Sequence, residues 1–351
     1  MKSGKSLVEL ATEIQRQAEG KRDFVADTRE MHMTPQGQLE MDVNDTQVTV
    51  DVTPHTHGQI AQRVGIPAPY YKRMQAEAPQ LLATNVNTWF NDKPERRMVR
   101  TLDGNARAFL SDRYRILDHY EILEAVLPVV GEMGEGIDIV STEITDNRIY
   151  LKVINKRLEL EVKKGDAVQA GFVISNSEIG MGAVRVEPLI YRLVCLNGMI
   201  AQDYSQKKYH VGRAAASEED AYELFSDETL KADDQAFMLK IRDTVRAAVD
   251  IAKFTTIVDR MKAATEQRIE GNPVKAVEVT TKTFGLSQGE HSSVLTHLIQ
   301  GGDLTAYGML NAITRTAQDV ESYDRATELE AVGSKVLSLP QPTWREIAYA
   351  S

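Results

Sequence analysis

Residues 168–187, near the middle of the chain, constrain the fold more than any other stretch, because two runs with apolar residues at alternate positions flank a turn. Apolar side chains occupy every second position on either side of a glycine-rich turn: Val168, Ala170, Phe172, Ile174, Val184 and Val186. Side chains at every second position of a strand lie on one face. The stretch therefore predicts a hairpin whose Arg185 and Glu187 face away from the core. We expect Pro188 to begin a helix that Asn197-Gly198 ends.

The turn of this hairpin and its surroundings carry an unusual set of small and polar residues: Asn176, Ser177, Glu178, Gly180, Gly182 and Asn197. Glycine permits a left-handed backbone and the close approach of a partner. Two interpretations remain open. The asparagine and serine satisfy their own backbone, as is common in turns, or the loop binds a ligand together with Arg185 and Arg192. In the second case Glu178 would neutralise an arginine, hold a metal or orient a base edge.

The N-terminal part predicts a mixture of short helices and strands. Residues 1–20 suggest an amphipathic helix, and residues 47–52 alternate like a half-buried strand. Residues 56–74 have the spacing of two helices around a tight turn, which either pack within a larger domain or read DNA. Asp103-Gly104 is typical of a type I′ hairpin turn. Asp118 is placed to cap the following helix.

The pattern as a whole indicates an α+β protein with a central antiparallel sheet, packed helices and a mainly helical C-terminal part. We divide the chain into a mixed α+β part, a β-rich core with basic hairpins and a helical part: 1–130, 131–215 and 216–351. Two short strands are expected at 148–154 and 158–162, and a linker at 214–220. One long helix is expected over 229–269, followed by helices at 291–299 and 304–336, the last with a break near Asp319.

Charge is distributed unevenly, although the chain as a whole has a net charge of -10. Residues 96–115 and 148–213 are both rich in arginine and lysine, and tyrosines such as Tyr114, Tyr150 and Tyr191 lie among them. Single-stranded nucleic acid is bound by cations that hold phosphates and by aromatic faces that stack on bases. The candidate nucleic-acid-binding residues are Arg97, Arg100, Arg107, Arg113, Arg115, Lys152, Lys156, Arg157, Lys163, Lys164, Arg185 and Arg192.

Several common chemistries have no signature in the sequence. Gly4-Lys5-Ser6 lacks the upstream glycine of a phosphate-binding loop, and Gly180-Met181-Gly182 does not open a helix as a dinucleotide fingerprint does. His55 and His57 have no further ligands nearby, so we expect no metal and no cofactor. Cys195 is expected to be a buried structural thiol on the helix after Pro188. No apolar run approaches the ~18 residues of a membrane span, and no signal peptide is evident, so a cytoplasmic location in a bacterial host is expected.

Three segments of the chain resemble the phage/plasmid-like family called domain of unknown function 932. The segments are RTLDGNARAFLSDRYRIL, GFVISNSEIGMGAVRV with LIYRLVCLNGMI, and LTAYGMLNAITRTAQDVESYDRATELEAVGSKVL. The resemblance covers residues 60–340 approximately and implies a role in a phage, prophage or plasmid. It carries over no catalytic assignment. The matching motif residues are Asn176, Ser177, Glu178, Gly180, Arg185, Arg192, Cys195, Asn197 and Gly198.

The leading hypothesis is a non-enzymatic protein of phage or plasmid DNA metabolism that binds single-stranded nucleic acid, with annealing as one possible activity. Its partners would be the nucleic acid, replication or recombination proteins and further copies of the chain, with no membrane. The second hypothesis is an enzyme acting on nucleic acid or nucleotides around Asn176, Glu178 and Arg185. The third is an oligomeric structural or partner-binding module that buries the stripe of the long helix.

Overall fold

The computed structural model describes residues 1–43, 46–182, 184–201, 206–208, 227–248 and 250–351. These residues form two mainly antiparallel sheets with helices packed on them, and a helical C-terminal part. The predicted α+β class is therefore confirmed. Among the helices of these residues, none is both long and apolar enough to cross a membrane.

The N-terminal sheet has six strands in the order β1-β5-β6-β4-β3-β2, of which β4 and β6 are parallel. Its strands are β1 (Lys21–Asp27), β2 (Met31–Met33), β3 (Gln38–Val43), β4 (Thr46–Val52), β5 (Arg96–Leu102) and β6 (Asn105–Ser111). Between β5 and β6, Asp103 and Gly104 have φ values of 51° and 80°. Positive φ at both central residues is the requirement of a type I′ turn, so the predicted hairpin is confirmed.

Three helices cover one face of this sheet: α2 (Pro54–Arg63), α3 (Ala68–Glu77) and α4 (Pro79–Asp92). Ile60, Tyr71 and Phe90 are buried among them together with residues of the strands. Gly65, at a φ of 71°, makes the turn between α2 and α3. Residues 56–74 therefore form two short helices that pack within a larger unit, as one of the two interpretations predicted.

The central sheet has the order β11-β10-β9-β8-β7, and β12 also pairs with β10. Its strands are β7 (Ile137–Ile144), β8 (Ile149–Lys163), β9 (Asp166–Asn176), β10 (Val184–Arg192), β11 (Asn197–Ile200) and β12 (Gln206–Lys208). Strand β9 is buried on both faces along nearly its whole length. A Cβ atom at Gly171 would lie 2.1 Å from the carbonyl oxygen of Val153 on β8, so only glycine fits there.

The prediction of a helix after Pro188 was wrong. Pro188 lies within strand β10, opposite Phe172 of β9, and Cys195 lies in the turn between β10 and β11. Both faces of β10 are covered from Val186 to Ile190, so Leu189 and Ile190 follow one another without the alternation that marks Val184 and Val186 as a strand. For the same reason Glu187 is buried instead of facing solvent, and Arg185 is half-buried.

The two short strands expected at 148–154 and 158–162 are one continuous strand, β8. Its pairing with β9 shifts register between Asn155 and Glu159, so the polar residues there form an irregularity in the ladder and not a turn. Lys152 is a buried residue of this continuous strand, and Lys163 is its last residue.

Three helices cover one face of the central sheet: α1 (Leu7–Gly20), α5 (His119–Glu132) and α6 (Asp227–Ala248). Leu10 and Ile14 of α1 are buried there, as the amphipathic pattern predicted. Asp118 and Glu121 form a capping box at the start of α5, which confirms the predicted cap.

The C-terminal part consists of α7 (Ile251–Thr265), α8 (Pro273–Phe284), α9 (Gln288–Gly301), α10 (Ala306–Thr316), α11 (Tyr323–Val336) and α12 (Gln341–Ala348). The single helix predicted over 229–269 was wrong, because α6 ends at Ala248 and Asp250 caps a new helix by accepting from the N–H groups of Ala252 and Lys253. The break near Asp319 is confirmed. The linker predicted at 214–220 lies outside the described residues.

Candidate functional site

The glycine-rich turn between β9 and β10 is the centre of a closed polar cluster, which we call the buried hub: Glu178 with Lys21, Arg107 and His119. The Glu178 side chain is only 1% exposed. One carboxylate oxygen accepts from the Lys21 ammonium and from the His119 backbone N–H, both at 2.6 Å. The other accepts from the Arg107 guanidinium at 2.5 Å. The hub therefore joins β1 and β6 of the N-terminal sheet to α5 and to the central sheet.

Arg100 makes a second connection beside the hub. Its guanidinium donates to the carbonyl oxygen of Glu178 at 3.1 Å, to Asp23 at 2.9 Å and to Asp118 at 2.7 Å. The Arg100 side chain is 1% exposed. A planar guanidinium with several fixed donors suits such a junction, so this arginine connects β1, β5, the turn and the start of α5.

Burial and charge act in opposite directions on the two titratable groups at the centre of the hub. Burial disfavours the charged form of Glu178, but the positive charges around it outweigh burial and hold its pKa well below the usual range. Burial lowers the pKa of His119 to about 4, so its ring is neutral at pH 7. The side-chain amide of Asn176 lies 3.1 Å from Nδ1 of that ring and donates to the carbonyl oxygen of Leu117 at 2.9 Å.

The turn itself is internal and not an exposed loop tip. Asn176 and Ser177 have no exposed surface, and Oγ of Ser177 accepts from the backbone N–H groups of Ile179 and Met181. Gly180 has a φ of 77°, and a Cβ atom there would lie 2.7 Å from Leu110. Gly182 likewise lies against the Arg148 guanidinium. Within the described residues no hydrogen bond or ion pair joins Arg185 to Glu178, so the trio of the enzyme hypothesis does not form one open site.

Most of the twelve predicted nucleic-acid-binding cations are already paired with carboxylates. Nine such cations have these partners: Arg97 with Glu95, Arg100 with Asp23 and Asp118, Arg107 with Glu178, Arg115 with Asp233, Lys152 with Glu330, Lys156 with Asp138, Arg157 with Glu135, Lys163 with Asp303, and Arg192 with Asp166. Of the other three cations, Lys164 is exposed and Arg185 is half-buried, and Arg113 is half-buried and in contact with other groups.

Lys152 is the clearest exception to the prediction of a phosphate-binding surface, because its side chain is fully buried. It pairs with Glu330 of α11 at 2.6 Å, and neither side chain has any exposed surface. Its ammonium also lies 4.7 Å from the centre of the Tyr323 ring. A cation enclosed in this way cannot reach a phosphate at the surface. The two basic windows belong to different sheets, since the first includes β5 and β6 of the N-terminal sheet and the second includes β8 to β10 of the central sheet.

Two of the predicted cations, Lys163 and Arg192, line an open cleft together with Arg315, which was not predicted. We call it the cationic cleft and define it by Lys163, Arg192 and Arg315. Its volume is about 530 Å³, and it lies between the ends of β8 and β10 and the helices α9 and α10. Cys195, His297 and Asn311 also contribute to its walls.

The charges of the cleft differ in how they are held. Arg192 makes a two-pronged contact with the buried Asp166 at 2.6 and 2.7 Å, and its remaining nitrogen lies 3.3 Å from the sulfur of Cys195. Lys163 and Asp303 form an exposed pair at 2.7 Å. Arg315 donates only to neutral oxygens, the Cys195 carbonyl and the Gln318 side chain, both at 2.7 Å. Across the part of the chain that the structure describes, no carboxylate forms an ion pair with Arg315.

Sequence reasoning found Lys163 and Arg192 but missed Arg315 and the rest of the α9–α10 wall. Arg315 lies in the C-terminal segment that carries the family resemblance, and Asn197 also connects to it by donating from its side chain to Thr314 at 2.5 Å. That contact spans more than a hundred residues of sequence, so no local pattern could reveal it. In the described ranges, no group of three or more His, Cys, Asp or Glu residues is arranged to hold a metal ion.

Comparison with known proteins gives a family and nothing more specific. A family model described as domain of unknown function (DUF932) matches residues 108–335, which is more than half of the chain. The matched region contains β7 to β12, the turn of the buried hub and all three cations of the cleft. No curated protein and no solved structure matches the chain.

Proposed function

The chain belongs to the family described as domain of unknown function (DUF932), and we propose that this member binds single-stranded nucleic acid in the cationic cleft. The observation that carries the proposal is the position of Lys163, Arg192 and Arg315 on one open cleft. Guanidinium groups form directed, charge-assisted hydrogen bonds to phosphate oxygens. The cleft volume of about 530 Å³ falls within the range of small-ligand sites, so one or two nucleotides are a suitable occupant.

Arg315 gives the cleft its local excess of positive charge. Asp166 already neutralises Arg192, and Asp303 neutralises Lys163. Arg315 has only neutral partners there, so a phosphate that binds it does not have to displace a carboxylate. The Lys163–Asp303 pair is exposed, and such pairs are worth so little that a phosphate can exchange with the carboxylate. Lys164 adds a further exposed cation at the adjacent turn.

A single strand fits this arrangement better than a duplex. The cleft is a local depression, and a flexible strand can turn one phosphate into it while neighbouring nucleotides remain outside. A rigid duplex keeps its phosphates on a convex surface. The net charge of -10 and the ion pairs elsewhere would limit binding outside the cleft. We place this activity, as the family resemblance implies, in the DNA metabolism of a phage or plasmid.

Fluorescence anisotropy with a labelled oligothymidine over a series of salt concentrations tests the proposal. Wild-type protein should bind, and its affinity should fall as salt rises. Arg315→Gln and Lys163→Gln should each weaken binding on the order of tenfold. Each should also reduce the slope of log affinity against log salt by about 0.7, since one phosphate contact is lost. Glutamine at 315 retains a donor for the Cys195 carbonyl, so the fold should be retained.

Arg157→Gln is the matched control, because Arg157 lies on β8 like Lys163, is 63% exposed and forms an ion pair outside the cleft. It makes the same change in net charge and should leave affinity unchanged. The proposal fails if the wild-type protein shows no salt-dependent binding, or if Arg157→Gln weakens binding as much as Arg315→Gln does.

A further inference from the structure

The turn between β10 and β11 holds a strained residue at the edge of the cationic cleft. Leu196 has a φ of 53°, in the left-handed region that leucine rarely adopts. The turn also exposes two apolar side chains, since Val194 is 58% and Leu196 56% exposed. Both residues line the cleft next to Arg192 and Arg315. We call Val194 and Leu196 the apolar lip.

The strained conformation is fixed by contacts from α10 and the residues that follow it. The Gln318 side-chain amide donates to the carbonyl oxygens of Cys195 at 3.3 Å and Leu196 at 3.2 Å. Arg315 donates to the Cys195 carbonyl at 2.7 Å. Backbone strain persists only where surrounding structure imposes it. Here the imposed conformation keeps the apolar lip in solvent, although exposing two apolar side chains gains nothing for folding.

We propose that the apolar lip contacts an unpaired nucleobase of the strand whose phosphate lies on the three cations, an inference that rests on the proposed function. A nucleotide combines an anionic phosphate with a base whose faces are apolar. The cleft offers the matching combination, because three cations and two exposed aliphatic side chains line it together. Base faces are available in a single strand and stacked away in a duplex. Contact with a base face does not depend on base identity, so the lip would bind with little sequence preference.

Two anisotropy probes of equal length separate the contribution of the lip to binding from that of the cations. They are oligothymidine and an abasic strand that has the same sugar–phosphate backbone. Wild-type protein should bind oligothymidine on the order of five- to tenfold more tightly than the abasic strand. Leu196→Gly and Val194→Ala should remove most of this preference and leave the affinity for the abasic strand unchanged. Glycine adopts positive φ without strain, so Leu196→Gly preserves the turn. Val274→Ala, at an exposed apolar residue of α8, is the matched control.

The outcomes distinguish the two proposals. If neither strand binds to the wild-type protein, the proposed function fails and this inference fails with it. If both strands bind equally well, the cations alone hold the ligand and only the apolar lip is rejected. If Leu196→Gly weakens both strands equally, the turn serves to position the Cys195 carbonyl and Arg315, and the base contact is likewise rejected.

Discussion

The buried hub and the cationic cleft are made from the same chemical groups but differ in their access to solvent. Each places lysine and arginine against carboxylates, and each draws residues from the stretch between 171 and 200. In the hub, the side chains of Lys21 and Arg107 are 10% and 11% exposed and Glu178 only 1%. In the cleft, Arg192 is also only 15% exposed, but Lys163 is 47% exposed, and Arg315 has no carboxylate partner among the described residues.

The difference shows that exposure, and not residue type, separates a structural ion pair from a candidate binding site. Removing a buried charge leaves its partner uncompensated in a poorly solvated environment, which is costly. An exposed pair is already screened by water and can be replaced by a ligand at little cost. The hub should therefore respond to substitution mainly through stability, and the cleft mainly through binding.

The largest expected effect is that of Glu178→Gln in the hub. Glutamine keeps the size and the acceptor for the His119 N–H but removes the charge that Lys21 and Arg107 face. The free energy of unfolding should fall by about 3–5 kcal/mol, measured by urea denaturation. Glu135→Gln, at the 95% exposed partner of Arg157, should cause no measurable change. Equal effects of the two substitutions would contradict the distinction between buried and exposed pairs.

The next effect in size is a pH dependence that His119 imposes on stability. Burial lowers its pKa to about 4 in the folded chain, from an ordinary value of 6.5. Between these values the unfolded chain binds a proton that the folded chain does not, so stability should decrease as pH falls from 6.5 to 4. The loss should be about 3 kcal/mol.

The measurement compares urea denaturation of the wild-type protein with that of His119→Asn across this pH range. Asparagine places an acceptor near the position of Nδ1 but cannot titrate, so the difference between the two proteins isolates His119 from other groups. One such group is the exposed carboxyl of Asp319, whose pKa is lowered by its hydrogen bonds from Ser293 and His297. Parallel stability curves for the two proteins would show that His119 does not supply the dependence.

A smaller effect on stability is expected for Asp303→Asn, the cleft counterpart of Glu178→Gln. Asp303 pairs with exposed Lys163 and accepts from the Thr305 hydroxyl, which asparagine can also satisfy. Stability should change by no more than about 1 kcal/mol. Affinity for oligothymidine should rise several-fold, because the cleft gains a positive charge. A loss of stability as large as that of Glu178→Gln would mean that the cleft is as structural as the hub.

Local sequence patterns predicted the elements whose cause is local. Asp103-Gly104 made its tight turn, Asp118 capped α5, and the apolar spacing of residues 1–20 formed α1. The errors fell where tertiary burial removed the local signal. The second half of β10, from Pro188, was taken for a helix because both of its faces are covered there. Helices α6 and α7 were taken for one helix because their apolar spacing continues across the break at Asp250.

The sequence by itself determined the fold class, the family and the presence of the motif residues, because these depend on residue identity, periodicity and capping groups. Only the tertiary structure decided which cations are available to a ligand. Glu178 and Lys152 are enclosed by partners from distant segments, and Arg192 meets Arg315 in an open cleft through contacts that span more than a hundred residues. Residue identity determines which side chains are charged. The free energy that each charge contributes depends on its solvation, which is determined by the residues packed around it.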